Sequence, residues 1–457
     1  MLRLHDTALN SVVDIVPRTP GRFSMYVCGP TVYDLPHIGH GRQLLVYDVL
    51  RRYLEWTGVT VDHVSNVTDI DDNIINRAQA QGRSSEEVAE QYEAEWWSAA
   101  DGLGALRPTQ TPHATEYVDR MIELVGELVE RGVAYPIEDG VYLSAESVPD
   151  YGLLAQQPLE NLRAGARVEE KGSKRSPVDF AVWKAAKPGE PAWDSPWGPG
   201  RPGWHTECVV MSLDLLGDGF DLHTGGLDLK FPHHENERAQ AVALGHRFAR
   251  HWMHHAFVEV AGEKMSKSLG NFTSLPDLLS REDGRAYRLL VLQSHYRTPL
   301  EVTPDTMARA ARSLEGLDLL AARLPEAFAA TAEGDGIDGV LARFRAAMDE
   351  DLDTPAAVSL IFEGRRRANA AADSSDAAGA TAWASAVAAM MSALGLVSRP
   401  LDQAALPPDV AELVARLDRA RSERDFSAAD ALRADLVASG WVVETGPDGS
   451  RVRRSGP

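Results

Sequence analysis

Ser24-Met25-Tyr26-Val27-Cys28-Gly29-Pro30 and, shortly after it, Pro36-His37-Ile38-Gly39-His40 form the stretch that decides the fold. The first part is short, apolar and β-leaning, and Gly29-Pro30 breaks it. From Gly41 onward Leu44, Leu45, Val49, Leu50, Tyr53 and Leu54 recur at helical spacing. Strand, glycine break and helix in that order suit one half of a nucleotide-binding α/β sheet. His37 and His40 then stand at a helix N-terminus, where free N–H groups and the positive end of the dipole favour phosphate oxygens. Two imidazoles there can add hydrogen bonds to charge that develops in phosphoryl chemistry. Gly39 lets an adenine ring approach the backbone. Taken alone, a pair of histidines three apart reads more readily as a surface pair or as metal ligands.

Lys264-Met265-Ser266-Lys267-Ser268, followed by Leu269-Gly270-Asn271, changes that weighting. Two lysines in a mobile loop can close on a triphosphate and stabilise the departing pyrophosphate, although a solvated lysine pair would win if the word stood alone. In this order the two words resemble the HIGH and KMSKS signatures of the class I aminoacyl-tRNA synthetases. That resemblance implies an α/β fold: a Rossmann-like catalytic domain with an insertion, then a helical bundle and a small C-terminal α/β anticodon module.

The cysteines narrow the family. Only Cys28 and Cys208 occur in 457 residues, so the default is a reducing compartment with two buried thiols and no disulfide framework. The rival is a metal. Cys28 closes the first strand, Cys208 ends Gly203-Trp204-His205-Thr206-Glu207-Cys208, and Phe231-Pro232-His233-His234-Glu235-Asn236-Glu237 lies downstream. Pro232 suits a helix start, which puts His233 and Glu237 at i and i+4 on one face. Two thiolates, an imidazole and a carboxylate make a credible zinc shell, although three segments supply it and no finger spacing is present.

With Met25 to Asp34, these segments closely resemble the cysteinyl-tRNA synthetases, over essentially the whole chain. The resemblance implies Zn2+ on Cys28, Cys208, His233 and Glu237, with the thiolate of substrate cysteine added to the metal. It places Thr68, Trp204 and His223 around that substrate. It puts ATP, accompanied by Mg2+, against Gly39, Gly225, Gly226, Asp228 and Lys267, and gives His37, His40, Lys264 and Lys267 the stabilisation of transition-state charge. It assigns base reading in the anticodon to Arg421, Phe426 and Asp430. Serine differs from cysteine by one atom, and a hydrophobic pocket separates such near-isosteres by only roughly 10- to 200-fold. A soft metal that prefers thiolate discriminates better, so no editing domain is required. Two positions depart from the family pattern. Thr224 replaces a common third glycine and is expected to add a side chain near the nucleotide, and Phe426 replaces a common Trp, keeping a stacking face while losing a donor.

Composition sets outer limits. The net charge of −21 argues against a non-specific nucleic-acid binder, so positive charge must be local. Residues 416–457 hold eight arginines against seven acids, a net of +1 that leaves −22 on the rest. Arg416, Arg419, Arg421, Arg424 and Arg433 are expected on a helical stretch, which can equally be a solvated face. Asn66 to Asp72 reads as an acidic helix start or, less readily, as a magnesium loop. No secretory signal opens the chain, and the uncharged run Ala377 to Ser398 is alanine-rich and suits a packed helix better than a membrane span. A cytoplasmic monomer is expected, with tRNA(Cys), L-cysteine and ATP as partners and no membrane. The expected domains are 1–100 and 199–245 as two halves of the catalytic domain, 101–198 as the insertion, 246–305 as the KMSKS-loop and stem-contact region, 306–400 as the helical bundle, and 401–457 as the anticodon module. The alternatives are a cysteine:amino-sugar ligase of the mycothiol pathway, a non-catalytic RNA-binding paralogue, and a nucleotide-binding protein with a purely structural zinc.

Overall fold

The computed structural model describes residues 1–165, 174–260, 263–264, 273–329, 339–399, 407–446 and 449–454. Its centre is a four-stranded parallel sheet in the order Ala249–His255, Phe220–Gly226, Arg22–Val27, Thr60–Ser65. Strands covered on both faces carry near-continuous apolar sequence, and Phe23, Met25 and Tyr26 are accordingly fully buried in succession. The helix Ile38–Trp56 crosses between the two strands that flank it in sequence and buries Leu45, Val49, Leu50, Tyr53 and Leu54. His37 caps it, so the helix starts inside the first signature and not at Gly41.

Between Thr60–Ser65 and Phe220–Gly226 the chain inserts an antiparallel four-stranded sheet, Ala134–Ile137, Gly140–Leu143, Phe180–Ala185 and Gly200–Pro202. Its apolar face, with Trp183 fully buried, joins the same core cluster as Cys28 and Cys208. Downstream, Pro304–Arg323 buries Met307, Ala310, Leu314, Leu317 and Leu320 on one face, as their spacing predicts. Thr354–Asp373 and Ala377–Ala393 pack together, Gly364 leaving room for Val387. The uncharged run is thus a bundle helix that buries Trp383, Val387 and Met390, and no helix among the described residues is long and apolar enough to cross a membrane.

Residues Arg399–Pro457 form a second compact unit. Helices Pro408–Ser422 and Phe426–Ala438 pack with the hairpin Trp441–Gly446/Gly449–Arg454 around Leu417, Leu432, Leu436 and Val443. The expectation of one helical stretch from Arg416 to Arg433 is corrected here. Arg424 takes a left-handed conformation at φ 60°, and the Asp425 carboxylate accepts from the Ala428 N–H to start a new helix.

Candidate active site

His37 and His40 cap each other. The His37 ring accepts from the His40 N–H at 3.3 Å, His40 Nδ1 accepts from the His37 N–H at 3.2 Å, and the rings stack with centroids 3.7 Å apart. Two otherwise orphaned backbone donors at the helix start are satisfied this way, which holds both imidazoles in place. Lys264 ends a short strand, Glu263–Lys264, paired antiparallel with Val258–Val260. Met265, Ser266, Lys267 and Ser268 lie outside the described residues. Beyond them the backbone pairs directly with the first signature: the Ile38 N–H donates to Thr273 O at 3.3 Å and the Leu275 N–H to Pro36 O at 2.7 Å. The flanks of the two signatures therefore stand side by side.

The first signature borders a cavity of about 490 Å³, whose walls include His37, Gly39, His40, Trp204, Gly226 and Asp228. That volume suits a small cofactor or nucleotide. Gly225 lies elsewhere. A Cβ on it would stand 2.8 Å from the His234 ring and 2.9 Å from Leu229, so this glycine admits His234 and is not among the residues that line the cavity. The expectation for Thr224 is also corrected. Its side chain is fully buried and its hydroxyl donates to Tyr26 O at 3.2 Å, away from the cavity. Thr224→Gly is therefore expected to cost about 2–3 kcal/mol of stability in urea unfolding, from the lost hydrogen bond, the lost buried methyl and the freer glycine backbone, and to leave the KM for ATP unchanged.

Behind the cavity wall, next to its lining residues Gly29 and Trp204, Cys28, Cys208, His233 and Glu237 converge, all buried. Cys28 Sγ lies 3.8 Å from Cys208 Sγ and 3.6 Å from Glu237 Oε1, while His233 Nε2 lies 3.7 Å from Cys208 Sγ and 3.0 Å from Glu237 Oε1. The carboxylate and the imidazole share a face as i, i+4 partners, although the regular helix begins at Glu235 after a turn over Lys230–His234 and not at Pro232. Trp204 stacks on His233 with centroids 3.9 Å apart, forming the wall between cluster and cavity. The electrostatics are those of buried groups that share protons. A hydrogen bond from Cys28 and the neighbouring His233 bring the Cys208 thiol down to about 6, whereas burial and the Cys208 thiolate push the Cys28 thiol up. Burial opposes the His233 imidazolium, but Glu237 and Cys208 outweigh it and raise its pKa to about 10. A divalent cation would take the place of those shared protons.

Residues 14–312 match the family described as tRNA synthetases class I (C) catalytic domain, and residues 343–398 match the DALR domain. A cysteine–tRNA ligase of Alkalilimnicola ehrlichii is 46% identical over 464 residues, covering 99% of this chain and 100% of the relative. The chain belongs to the cysteine–tRNA ligases. A second cysteine–tRNA ligase, from Thioalkalivibrio sulfidiphilus, is 44% identical over 99% of this chain and 100% of its own. The Mycobacterium tuberculosis methionyl-tRNA synthetase in complex with methionyl-adenylate shares the fold at a TM-score of 0.61 and 15% identity, covering 89% of this chain and 96% of its own.

In this cysteine–tRNA ligase Thr68 and His223 are buried behind the cluster and do not form the open cavity wall. Thr68 Oγ1 donates to Glu207 at 2.7 Å, and His223 Nε2 bonds Glu237 Oε2 at 2.7 Å while its ring stacks on Trp252. The acidic run is a helix start. Asp71 caps Asp72–Gln81, Asp69 accepts from Thr115, and Asp72 pairs with Lys184 at 2.5 Å and with Arg201, so its carboxylates are already engaged. Sequence reasoning missed an alternative donor set, Cys28, His223, His234 and Glu237. His234 Nε2 stands 3.2 Å from Cys28 Sγ, its Nδ1 2.8 Å from His254 Nε2, and His254 Nδ1 2.7 Å from the Thr7 hydroxyl. The His233-His234 doublet was the available signal, since either residue reaches Glu237 from one helical face. His205, whose Nδ1 lies 2.8 Å from His233 Nδ1, orients the chosen ring.

Proposed function

We propose that the chain activates L-cysteine with ATP to cysteinyl-adenylate and transfers cysteine to tRNA(Cys), and that it selects cysteine through zinc held by Cys28, Cys208, His233 and Glu237. The observation that carries this is the convergence of those four side chains behind Trp204, whose ring stacks on His233 and lines the same cavity as His37 and His40. Tetrahedral zinc with bonds of about 2.3 Å to sulfur and 2.0–2.1 Å to nitrogen and oxygen has ligand edges of about 3.8 Å between sulfurs and 3.6 Å from sulfur to nitrogen or oxygen. The cluster's edges of 3.8, 3.6 and 3.7 Å fit, whereas the 3.0 Å from His233 Nε2 to Glu237 Oε1 is a hydrogen-bond distance that would open by about 0.3 Å around the metal. Bound there, zinc supplies a soft seat that prefers the substrate's thiolate to a serine hydroxyl.

The remaining residues position the reactants. The Trp204 ring forms the wall beside the substrate, and the Asp228 carboxylate beside Gly226 accepts from ribose hydroxyls. His37 and His40, with the positive helix end behind them, donate to phosphate oxygens, and Lys264 and Lys267 offset charge on the leaving pyrophosphate, with Mg2+ accompanying ATP. The cysteine carboxylate attacks the α-phosphorus in line and pyrophosphate departs. The terminal adenosine hydroxyl of tRNA then attacks the activated carbonyl and AMP leaves. No protein nucleophile is needed, because orientation and electrostatics supply the acceleration. His40→Ala is expected to lower kcat for exchange by about 10²–10³-fold, the usual cost of one preorganised donor.

In the C-terminal unit Phe426 is 68% exposed at a helix start, and Asp430 lies one turn on along the same face. With Arg421 they suit an unstacked anticodon base. Two free thiols in the cluster suit the reducing cytoplasm. The test is cysteine-dependent ATP–pyrophosphate exchange beside charging of tRNA(Cys) with cysteine or serine. Cysteine-dependent exchange with charging supports the proposal. Exchange without charging transfers it to an amino-sugar ligase, and no exchange removes it.

A further inference from the structure

Arg42 lies in the first turns of the helix that opens with His37 and His40, yet it faces inward and is only 1% exposed. Its two Nη groups lie within hydrogen-bond distance of five main-chain carbonyls, the two Nη2 protons being shared among three of them, while the buried Nε has no partner among the described residues. Nη1 donates to Ala256 O at 2.9 Å and Phe257 O at 2.7 Å, and Nη2 to His295 O at 3.2 Å, Tyr296 O at 3.1 Å and Thr298 O at 2.6 Å. Among the described residues no carboxylate pairs with it, so its charge is set against carbonyl dipoles alone. Burial lowers its pKa to about 10, which leaves it charged at neutral pH. A buried cation spent on five carbonyls of two remote segments is costly, and a helix face next to a core could have been apolar.

The two segments are the roots of two strands. Ala256-Phe257 leads into Val258–Val260, and His295 to Thr298 leads into Leu300–Glu301. Those strands pair in parallel, Val258 with Leu300 and Glu259 with Glu301, and Val258–Val260 pairs antiparallel with Glu263–Lys264. The roots also bond each other, the Ala256 N–H donating to Tyr296 O at 2.8 Å and the Leu300 N–H to Phe257 O at 3.0 Å. Arg42 thus grips the seam of the three-stranded sheet that delivers Lys264, from a helix whose first residues are the histidines of the other signature.

We propose that Arg42 is a positioning residue for adenylate formation: its two Nη groups hold both strand roots, and so set the backbone of the Lys264 strand at a fixed distance from His37 and His40. The role presupposes the two-signature ATP site proposed above. A planar fork addresses both segments with fixed geometry, whereas a lysine ammonium carries its three rotatable donors at one point and sets the two segments less rigidly. A shift of about 1 Å in a catalytic group costs on the order of 10²-fold in rate.

The experiment compares the full-length wild type with Arg42→Lys and Arg42→Gln. It measures kcat and the KM for cysteine in ATP–pyrophosphate exchange, bound metal, thermal midpoint, and the single-turnover rate of transfer from preformed cysteinyl-adenylate to tRNA. The expected result is that both variants fold with metal bound, keep the KM for cysteine and the transfer rate, and lose about 30- to 100-fold in exchange kcat, with Arg42→Lys the less affected. Three results overturn it: unchanged exchange kcat in both variants; exchange, KM and transfer failing together, which marks a core residue only; or neither variant obtained folded. A wild type without cysteine-dependent exchange would instead remove the two-signature site itself, a failure visible before any variant is made.

Discussion

Cys208→Ser is expected to lower kcat/KM for cysteine-dependent ATP–pyrophosphate exchange by about 10³-fold or more, because losing a groups-behind-the-ligand contact alone costs 10–100-fold and a ligand is worth more. The substitution changes one atom at a site that is 1% exposed, so volume and packing are nearly conserved. What disappears is the thiolate that Cys28 and His233 hold ready near neutral pH. A serine hydroxyl neither ionises there nor matches a soft metal. Two further readings accompany the rate: bound zinc falls, and the preference for cysteine over serine collapses toward the roughly 10- to 200-fold that an apolar pocket can give. Unchanged zinc with unchanged discrimination would show that Cys208 is a core thiol.

The second large effect concerns stability. Asp48 is 3% exposed and accepts from Arg288 Nη1 at 2.5 Å, from Arg52 Nε at 2.8 Å and from the Leu106 N–H at 2.8 Å. Arg288, itself 1% exposed, donates onward to Leu103 O, Gly104 O and Leu394 O. One buried ion pair therefore joins the signature helix, the loop after Ser85–Gly102 and the end of the bundle helix Ala377–Ala393. Asp48→Asn leaves the Arg288 charge buried without its counter-ion and is expected to cost about 3–5 kcal/mol in urea unfolding at pH 7. Burial alone would raise the Asp48 pKa, but Arg288 and Arg52 outweigh it and hold it below the ordinary range. A depressed folded pKa stabilises above the unfolded value of about 3.9 and is lost as pH falls through the folded value. The wild type's advantage over Asp48→Asn should stay level from pH 7 to about 5 and shrink below about pH 4. An advantage that is absent at pH 7 would contradict the pairing.

What could be read from the sequence was whatever carried its own chemistry or period. The strand, glycine break and helix were legible because Leu45, Val49, Leu50 and Tyr53 mark one face, and the side chains that meet as the buried Cys/His/Glu cluster because their chemistry marks them as potential metal donors. The residues suggested Cys28 and Cys208 as a possible metal pair beside the alternative of two buried thiols, and only the family resemblance favoured the pair, since 180 residues separate them and no local spacing connects them. The orientation of Thr224 was hidden for a physical reason. Phe220–Gly226 is buried along its whole length, so alternation gives no inside and outside to read. Gly225 looked like a nucleotide contact because glycine signals close approach without saying to what, and here the neighbour is His234. The turn at Arg424 carried a usable cap, Asp425, which the surrounding arginines obscured. Arg42 was missed because arginine is so seldom fully buried that its position on a helix reads as surface.

The measurement that tests the central claim most directly is the visible absorption of the cobalt(II)-substituted chain during titration with L-cysteine and, separately, L-serine. A cluster of two thiolates, an imidazole and a carboxylate that holds the metal and admits the substrate thiolate predicts that L-cysteine adds thiolate-to-cobalt charge-transfer intensity at saturation and that L-serine leaves the spectrum unchanged. Identical spectra with both amino acids, or no cobalt bound by the intact chain, would contradict it.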